Sequence, residues 1–154
     1  MDNRFPDGFL WGTASAAHQV EGGNANNDWW AFEQQPGRIA NGDTSEVACD
    51  SYRRYREDFA LLRGMSQNAH RLSVEWSRIE PSEGEFDSRQ IRHYRDVLGE
   101  LREQSIKPMV TLHHFTSPLW FTNRGGWAAS GAAGRTLALV APFRFCLRAI
   151  GDEV

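Results

Sequence analysis

Short apolar runs alternate along the chain with longer segments whose apolar residues recur at helical spacing. The apolar runs occupy residues 9–17, the first half of residues 68–81, and residues 107–112, and each has the length of a buried strand. Each run is followed by polar or aromatic side chains. Strands separated by helices in this order predict parallel pairing through right-handed crossovers. The pattern therefore indicates an α/β fold.

Two amphipathic helices are predicted between the strands. In the first, apolar residues recur at steps of four, three, four and three on an otherwise charged segment. They are Ala48, Tyr52, Tyr55, Phe59 and Leu62. The second helix begins behind Asp87, which with Gln90 resembles a capping box. Its apolar residues are Ile91, Tyr94, Leu98 and Leu101.

Two further stretches are predicted to be loops that contain short helical turns. Residues 24–45 are rich in Asn, Gly and Asp, and they form a long loop with one short helix around Trp29, Trp30 and Phe32. Residues 118–121 start a helical turn after the third strand. A loop as long as residues 24–45 in a compact domain is usually functional.

Residues 68–81 are the stretch around which the rest of the chain is organised. The strand at its start delivers Glu75, Trp76, Ser77 and Arg78 within four positions. An α/β barrel needs charged and aromatic groups at the C-terminal ends of its strands, where its active face lies. The alternative is a core strand that runs into a surface ion pair, and this stretch taken alone favours that alternative.

The composition is that of a single soluble globular domain spanning residues 1–154. Hydrophobic residues make up 40% and charged residues 24%, which excludes a disordered chain. The formal net charge of -3 gives no basic surface for nucleic acid or anionic lipid. Six Trp and nine Phe suit a sugar-binding cleft and a packed core equally, so composition does not decide between them.

The two cysteines and the N-terminal residues bear on location. Cys49 and Cys146 lie far apart without metal-ligand spacing, so free thiols in a reducing cytosol are expected. The first residues lack a basic segment followed by an apolar one, and no apolar run reaches the length of a membrane span. The sequence therefore predicts a cytoplasmic protein without a membrane partner.

Three motifs in order resemble glycoside hydrolase family 1, the β-glucosidase type. Residues 5–22 resemble its N-terminal signature, residues 70–81 its second-strand motif, and residues 110–120 its third-strand motif. The resemblance covers residues 4–127 well and residues 143–154 more loosely. It implies a (β/α)₈ TIM barrel that hydrolyses β-glycosides with retention, an O-glycosyl hydrolase of carbohydrate metabolism. This chain would be its N-terminal portion, about three of the eight β/α units.

The resemblance implies roles for three residues. Gln19 and His114 match residues that hydrogen-bond the hydroxyls of the sugar in the cleavage subsite, and an amide can donate and accept at once. Arg71 matches the arginine that supports the nucleophile as a carboxylate. A guanidinium on an apolar strand needs a partner, so a carboxylate is expected beside Arg71; the alternative is a structural ion pair with Glu75. Phe115 stands where many relatives have Trp, which removes an indole N–H.

No metal or cofactor is expected. His113 and His114 are adjacent on a strand and point to opposite faces, so they are poorly placed to share an ion. A doubly wound nucleotide-binding fold would share the strand–helix alternation, but no glycine-rich phosphate loop follows any strand.

The catalytic carboxylates implied by the resemblance are absent from the sequence. Retaining enzymes hold an acid/base and a nucleophile about 5 to 5.5 Å apart. The family places the first in an Asn-Glu-Pro motif after the fourth strand and the second after the seventh, and neither motif occurs in residues 1–154. Glu153 lies outside the motif, and no family role supports Glu21 and Glu75 as a substitute pair. The chain alone is expected to be inactive.

The partners implied are a β-glycoside or oligosaccharide and, because three units cannot close a barrel, a complementing C-terminal chain or a second copy. The rival hypothesis is a non-catalytic sugar-binding or complementing subunit. Residues 128–141 are atypical, low in complexity and rich in Ala and Gly, which suggests a shifted reading frame or a degraded gene. Residues 143–150 are predicted to return to an amphipathic helix.

Overall fold

The computed structural model describes residues 4–129. Its centre is a three-stranded parallel sheet in the order β1-β2-β3. The strands are β1 (Gly12–Ala14), β2 (Ala69–Ser73) and β3 (Lys107–Thr111). Gly12 pairs with Ala69 across the first ladder, and Ala69 pairs with Lys107 across the second. The predicted alternation and the parallel pairing are confirmed.

Helices connect the strands and flank the sheet. In chain order they are α1 (Ala17–Val20), α2 (Asp28–Glu33), α3 (Ser51–Gly64), α4 (Trp76–Ile79), α5 (Ser88–Glu103) and α6 (Leu119–Asn123). Two 3₁₀ turns lie at Ala40–Gly42 and Gly126–Ala128. The short helix predicted in residues 24–45 is α2, and the helical turn predicted at residues 118–121 belongs to α6. No helix within residues 4–129 is long and apolar enough to cross a membrane.

The main core lies between the sheet and the two long helices. The buried residues of α3 and α5 are Tyr55, Phe59, Leu62, Ile91, Tyr94, Val97, Leu98 and Leu101. They pack with Leu72, Val74, Ile79 and Ile106, which come from β2, the residue after it, α4 and the segment before β3. The predicted apolar stripes of the two helices are therefore confirmed from Tyr55 and from Ile91 onward.

Three details of the helices differ from the prediction. Ala48 lies before α3 and has a φ of 47°, so it is not part of the helix and does not start the apolar stripe. Asp87 does cap α5, since its carboxylate accepts from the backbone N–H of Arg89 at 2.8 Å. Gln90 does not complete a capping box, because its side chain accepts a hydrogen bond from the Tyr52 hydroxyl at 2.8 Å.

The first and third strands are less buried than predicted. β1 has three residues rather than the nine of residues 9–17, and all three are exposed. β3 is only partly buried. Both strands are edges of the three-stranded sheet, so each pairs with β2 on one side among the described residues. Gly12 is needed in β1 because a Cβ there would lie 2.6 Å from the carbonyl oxygen of Ala69.

The segment after β2 also differs from the prediction. It forms α4 instead of a polar loop, and Glu75, Trp76 and Ser77 are buried rather than exposed. A surface ion pair at this position is therefore wrong. Residues 130–141 of the atypical stretch, the helix predicted at residues 143–150, and Cys146 lie outside the described residues. Cys49 is exposed and free.

Candidate functional site

The candidate site lies where the three parallel strands end. The segments that follow β1, β2 and β3 meet at one edge of the sheet because parallel strands end on the same side. The Ser15 N–H donates to the Arg71 carbonyl at 2.9 Å, and the Ala17 N–H donates to the Ser73 hydroxyl at 2.8 Å. The Val74 N–H donates to the Thr111 carbonyl at 3.1 Å. These bonds fix the three segments relative to one another.

Arg71 and His114 are brought together at this edge. The Arg71 Nη1 donates to His114 Nδ1 at 3.0 Å and to the Ser15 carbonyl at 2.9 Å. A guanidinium has no acceptor, so Nδ1 must carry the lone pair and the N–H of a neutral His114 sits on Nε2. The arrangement therefore fixes the tautomer and leaves Nε2–H as a donor.

Arg71 does not have the carboxylate partner that its burial on a strand led us to expect. No acidic side chain in residues 4–129 forms an ion pair with Arg71, and Glu75 is bonded elsewhere. The Ser15 carbonyl and the His114 ring accept from Nη1 of this partly buried guanidinium, which leaves its Nε and Nη2 N–H groups for other partners.

Gln19, one of the polar residues that follow the first apolar run, lies on α1. Its backbone N–H donates to the Ala16 carbonyl at 3.0 Å, and its side chain is exposed. The neighbouring His18 is buried and anchors the helix, because its Nδ1 accepts from the Asn27 amide at 3.1 Å. Burial lowers the pKa of His18. The helix thus places an exposed amide beside a fixed imidazole.

Glu75 is the most enclosed acidic residue of the site, with 1% of its surface exposed. Its carboxylate accepts from the Ser77 hydroxyl at 2.9 Å and from the Thr116 hydroxyl, which lies 3.0 and 3.2 Å from its two oxygens. Burial, with a smaller contribution from the nearby charge of Glu21, raises the pKa of Glu75 to about 7 against the opposing effect of its hydrogen bonds. Glu75 therefore joins the segment after β2 to the segment after β3.

Glu21 is buried in the same region but has a cation. Its Oε2 accepts from Arg78 Nε at 2.8 Å, and its Oε1 accepts from the Tyr94 hydroxyl at 2.8 Å. Burial raises the pKa of Glu21, while the charge of Arg78 opposes the rise. The Tyr94 oxygen also accepts from the Glu75 N–H at 3.0 Å, so one hydroxyl links both acidic segments.

Glu21 and Glu75 are structural in this arrangement. Both side chains are buried and bonded internally, so neither presents a free carboxylate to a ligand. Sequence reasoning noticed both residues but did not foresee Thr116 or Tyr94 as their partners. The available signal was weak: Tyr94 is one member of the apolar stripe of α5, and Thr116 is one residue of a long motif.

His113 and His114 have separate environments. The His113 ring lies edge-on to Trp127, with centroids 5.2 Å apart, whereas His114 bonds to Arg71. Burial lowers the pKa of His113. Within residues 4–129, no three His, Cys, Asp or Glu side chains are grouped in a way that could hold a metal ion.

Comparison with known proteins gives a consistent family. The sequence model of the protein family described as Glycosyl hydrolase family 1 matches residues 1–153. The thermostable beta-glucosidase B of Thermobispora bispora is 40% identical over 138 residues, which are 87% of this chain and 29% of that protein. The 1,4-beta-D-glucan glucohydrolase of Thermotoga neapolitana is 37% identical over 131 residues, 81% of this chain and 31% of that protein.

Solved structures agree with the sequence relatives. The family 1 β-glucosidase from Thermotoga maritima superposes with a TM-score of 0.92 at 34% identity, covering 99% of this chain and 35% of that one. The chain therefore spans about a third of the length of the relatives it matches. The predicted fold, part of a (β/α)₈ barrel, is confirmed. The chain belongs to glycosyl hydrolase family 1.

Proposed function

We propose that this chain, as a single domain, is the N-terminal, sugar-contacting part of a retaining β-glucosidase-type hydrolase. The observation that carries the proposal is the Arg71–His114 hydrogen bond of 3.0 Å at the C-terminal strand edge of a family 1 chain. The substrate class is a β-glycoside or oligosaccharide. Solved structures of the Thermotoga maritima β-glucosidase with cyclophellitol and with castanospermine support small polyhydroxylated ligands for this family.

Gln19 and His114 are proposed to bind hydroxyl groups of the sugar. The exposed Gln19 amide offers both a donor and an acceptor, and His114 Nε2–H offers a donor in a fixed tautomer. Neutral donors and acceptors of this kind suit vicinal hydroxyls, which both donate and accept. Because Arg71 fixes the ring through Nδ1, binding a hydroxyl at Nε2 costs little rotational freedom.

Arg71 is proposed to support a nucleophilic carboxylate that residues 1–154 do not supply. A fixed positive charge favours the ionised form of a nearby carboxyl group. Within residues 4–129, Arg71 makes no ion pair, so its charge is not neutralised by an acidic neighbour. Its role is therefore support of a charge and orientation of His114, not proton transfer.

The chain alone is proposed to be inactive, because the family's acid/base and nucleophile motifs do not occur in its sequence. The test is to incubate the purified chain with an aryl β-glucoside and follow release of the phenol. No release above buffer is expected. Turnover that disappears when Glu21 or Glu75 is replaced with glutamine would overturn the proposal, since these carboxylates would then be catalytic.

A complementing chain is the second proposal, and the sheet supports it. In the described part of the chain, β1 and β3 each pair only with β2, although parallel strands usually lie in the interior of a sheet. An exposed edge favours pairing with another strand. A C-terminal family 1 chain or a second copy could supply one. The non-catalytic role as a sugar-binding or complementing subunit, and the cytoplasmic location, stay predictions.

A further inference from the structure

We propose that Glu75 is a positioning residue for His114: through Thr116 it holds the turn that sets the His114 ring against Arg71. The geometry stands by itself, and only its consequence for sugar binding rests on the function proposed above. Glu75 and His114 belong to two different sequence motifs. One is a buried carboxylate after β2, and the other is an imidazole after β3.

The turn after β3 is strained. Phe115 has a φ of 53°, a left-handed value that residues other than glycine rarely adopt. The Thr116 N–H donates to the His114 carbonyl at 2.7 Å, so the turn closes over three residues. Strain of this kind persists only where the surrounding structure holds it, and it occurs preferentially at functional sites. The direction of the His114 side chain therefore depends on what holds Thr116.

Thr116 is held from the β2 side by Glu75. Its buried hydroxyl lies 3.0 and 3.2 Å from the two carboxylate oxygens of Glu75. Glu75 is itself fixed, since its backbone N–H donates to the Tyr94 hydroxyl and its carboxylate accepts from the Ser77 hydroxyl. Hydrogen bonds thus connect Tyr94 of α5 through Glu75 to Thr116 in the strained turn. Thr116 lies two residues from His114.

Asp28 holds the same turn from the other side, one residue further along the chain. The Ser117 N–H donates to Asp28 Oδ1 at 2.9 Å, and the Asp28 N–H donates to the Ser117 carbonyl at 3.0 Å. These bonds position the backbone after the turn. They do not reach the Thr116 side chain, which Glu75 holds.

At this position a carboxylate offers two acceptor oxygens, whereas an amide offers one. Glu75 accepts from the Ser77 N–H, the Ser77 hydroxyl and the Thr116 hydroxyl, and two oxygens are needed to serve these donors. Glutamine keeps the shape but replaces one oxygen with an NH₂ group, which can meet the Thr116 hydroxyl only by donating to it and so reverses the direction of this hydrogen bond. No cation in residues 4–129 forms an ion pair with Glu75. Its hydrogen bonds offset only part of the cost of burial, since the pKa of Glu75 stays raised.

The experiment follows the imidazole nitrogens of His114 by long-range ¹H–¹⁵N spectra of the ¹⁵N-labelled chain. At a pH at which the His114 ring is neutral, the wild-type shifts should report hydrogen on Nε2. In Glu75→Gln, we expect the His114 nitrogen shifts to move and to report a mixture of tautomers, because the ring is no longer held against Arg71. A purely structural loss would lower stability without this change.

Glu80→Gln is the matched control. Glu80 is buried to a similar extent and accepts from the Trp76 indole at 2.7 Å and the Gly84 N–H at 2.8 Å, but it does not bond to Thr116. Its replacement should leave the His114 shifts unchanged. Unchanged His114 shifts in folded Glu75→Gln, or equal changes in both variants, would overturn the proposal.

Thr116 variants keep the test open if Glu75→Gln does not fold. Thr116→Ser retains the hydroxyl and should preserve the wild-type His114 shifts, whereas Thr116→Val should change them. Identical shifts in these two variants would contradict the proposal. Thr116→Ser therefore serves as the conservative rescue.

Titration with methyl β-D-glucoside separates the positioning role from the proposed function. Loss of one well-placed hydrogen bond should weaken sugar binding by about threefold to tenfold in Glu75→Gln. If the wild type binds no sugar, the proposed function fails, while the His114 shifts still decide the positioning role. If the wild type binds and Glu75→Gln binds equally well, the positioning role is overturned.

Discussion

Replacing Glu75 with glutamine should change how the stability of the chain depends on pH. Burial raises the pKa of Glu75 from its ordinary 4.5 to about 7 in the folded chain. Between these values the folded state binds a proton that the unfolded state has released. Glu75 therefore contributes stability that is fully present below about pH 4.5, and this contribution is lost as the pH rises through 7.

The size of the effect follows from the two pKa values. A pKa raised from 4.5 to about 7 corresponds to about 3 kcal/mol of unfolding free energy. His93 acts in the opposite direction, because burial lowers its pKa to about 4 and its contribution is lost as the pH falls. The pH dependence of the wild-type unfolding free energy therefore contains opposing contributions from Glu75 and His93. The difference between wild type and Glu75→Gln isolates one of them.

The assay is urea unfolding of both proteins at pH 4.5 and pH 7.5. We expect the wild type to lose about 2 to 3 kcal/mol relative to Glu75→Gln between these pH values. Glu57→Gln is the control, because Glu57 is exposed and an Arg54 hydrogen bond lowers its pKa, so it cannot reproduce this direction. Parallel pH profiles for cooperatively folded wild type and Glu75→Gln would refute the reasoning.

Two other pairs of variants test the packing around the site, each with urea unfolding as the measurement. Tyr94→Phe removes the buried hydroxyl that joins two acidic segments and should cost about 1 to 3 kcal/mol, whereas Tyr52→Phe loses a partly buried bond and should cost less. Equal costs would contradict the linking role of Tyr94. Gly12→Ala should cost about 1 to 3 kcal/mol because its Cβ would lie 2.6 Å from a β2 carbonyl, while Gly64→Ala meets open space and should be neutral or stabilising. A neutral Gly12→Ala would show that β1 can shift.

The large elements could be predicted from the sequence because their burial follows simple periods. The stripe of α5 from Ile91 to Leu101 and the strand-like runs place apolar residues where one face must be buried. The same reasoning failed at Ala48, which has the right spacing but a left-handed backbone. Spacing records which residues could share a face, not whether the chain is helical there.

Short polar elements could not be predicted, because their partners are distant in sequence. From the sequence alone, Glu75 is expected to be a surface charge. In the structure it bonds to Thr116, which lies 41 residues further along the chain. α4 is only four residues long and is buried through contacts that no local period records. Polar groups of this kind depend on tertiary contacts, which the hydrophobic pattern does not contain.

The site residues came from motif resemblance, and the structure adds their geometry. Gln19, Arg71 and His114 carry no decisive local signal, since each could be an ordinary polar residue at the end of an element. The parallel register brings the segments after β2 and β3 together, and the Arg71–His114 bond follows. Of the partners considered for Arg71, the ion pair with Glu75 is wrong, because the Glu75 carboxylate bonds to Ser77 and Thr116. A carboxylate from outside the described residues stays a prediction.

The most direct test of the account is a titration of the ¹⁵N-labelled chain with methyl β-D-glucoside, followed by amide and imidazole shifts. The account predicts saturable changes at Gln19 and His114 that are lost in Gln19→Ala. The changes should persist in the control Gln104→Ala. Gln104 is the C-cap of α5 and lies at the other end of the strands from the site. Absence of saturable changes, or changes that Gln19→Ala leaves intact, would contradict a sugar-contacting site in this chain.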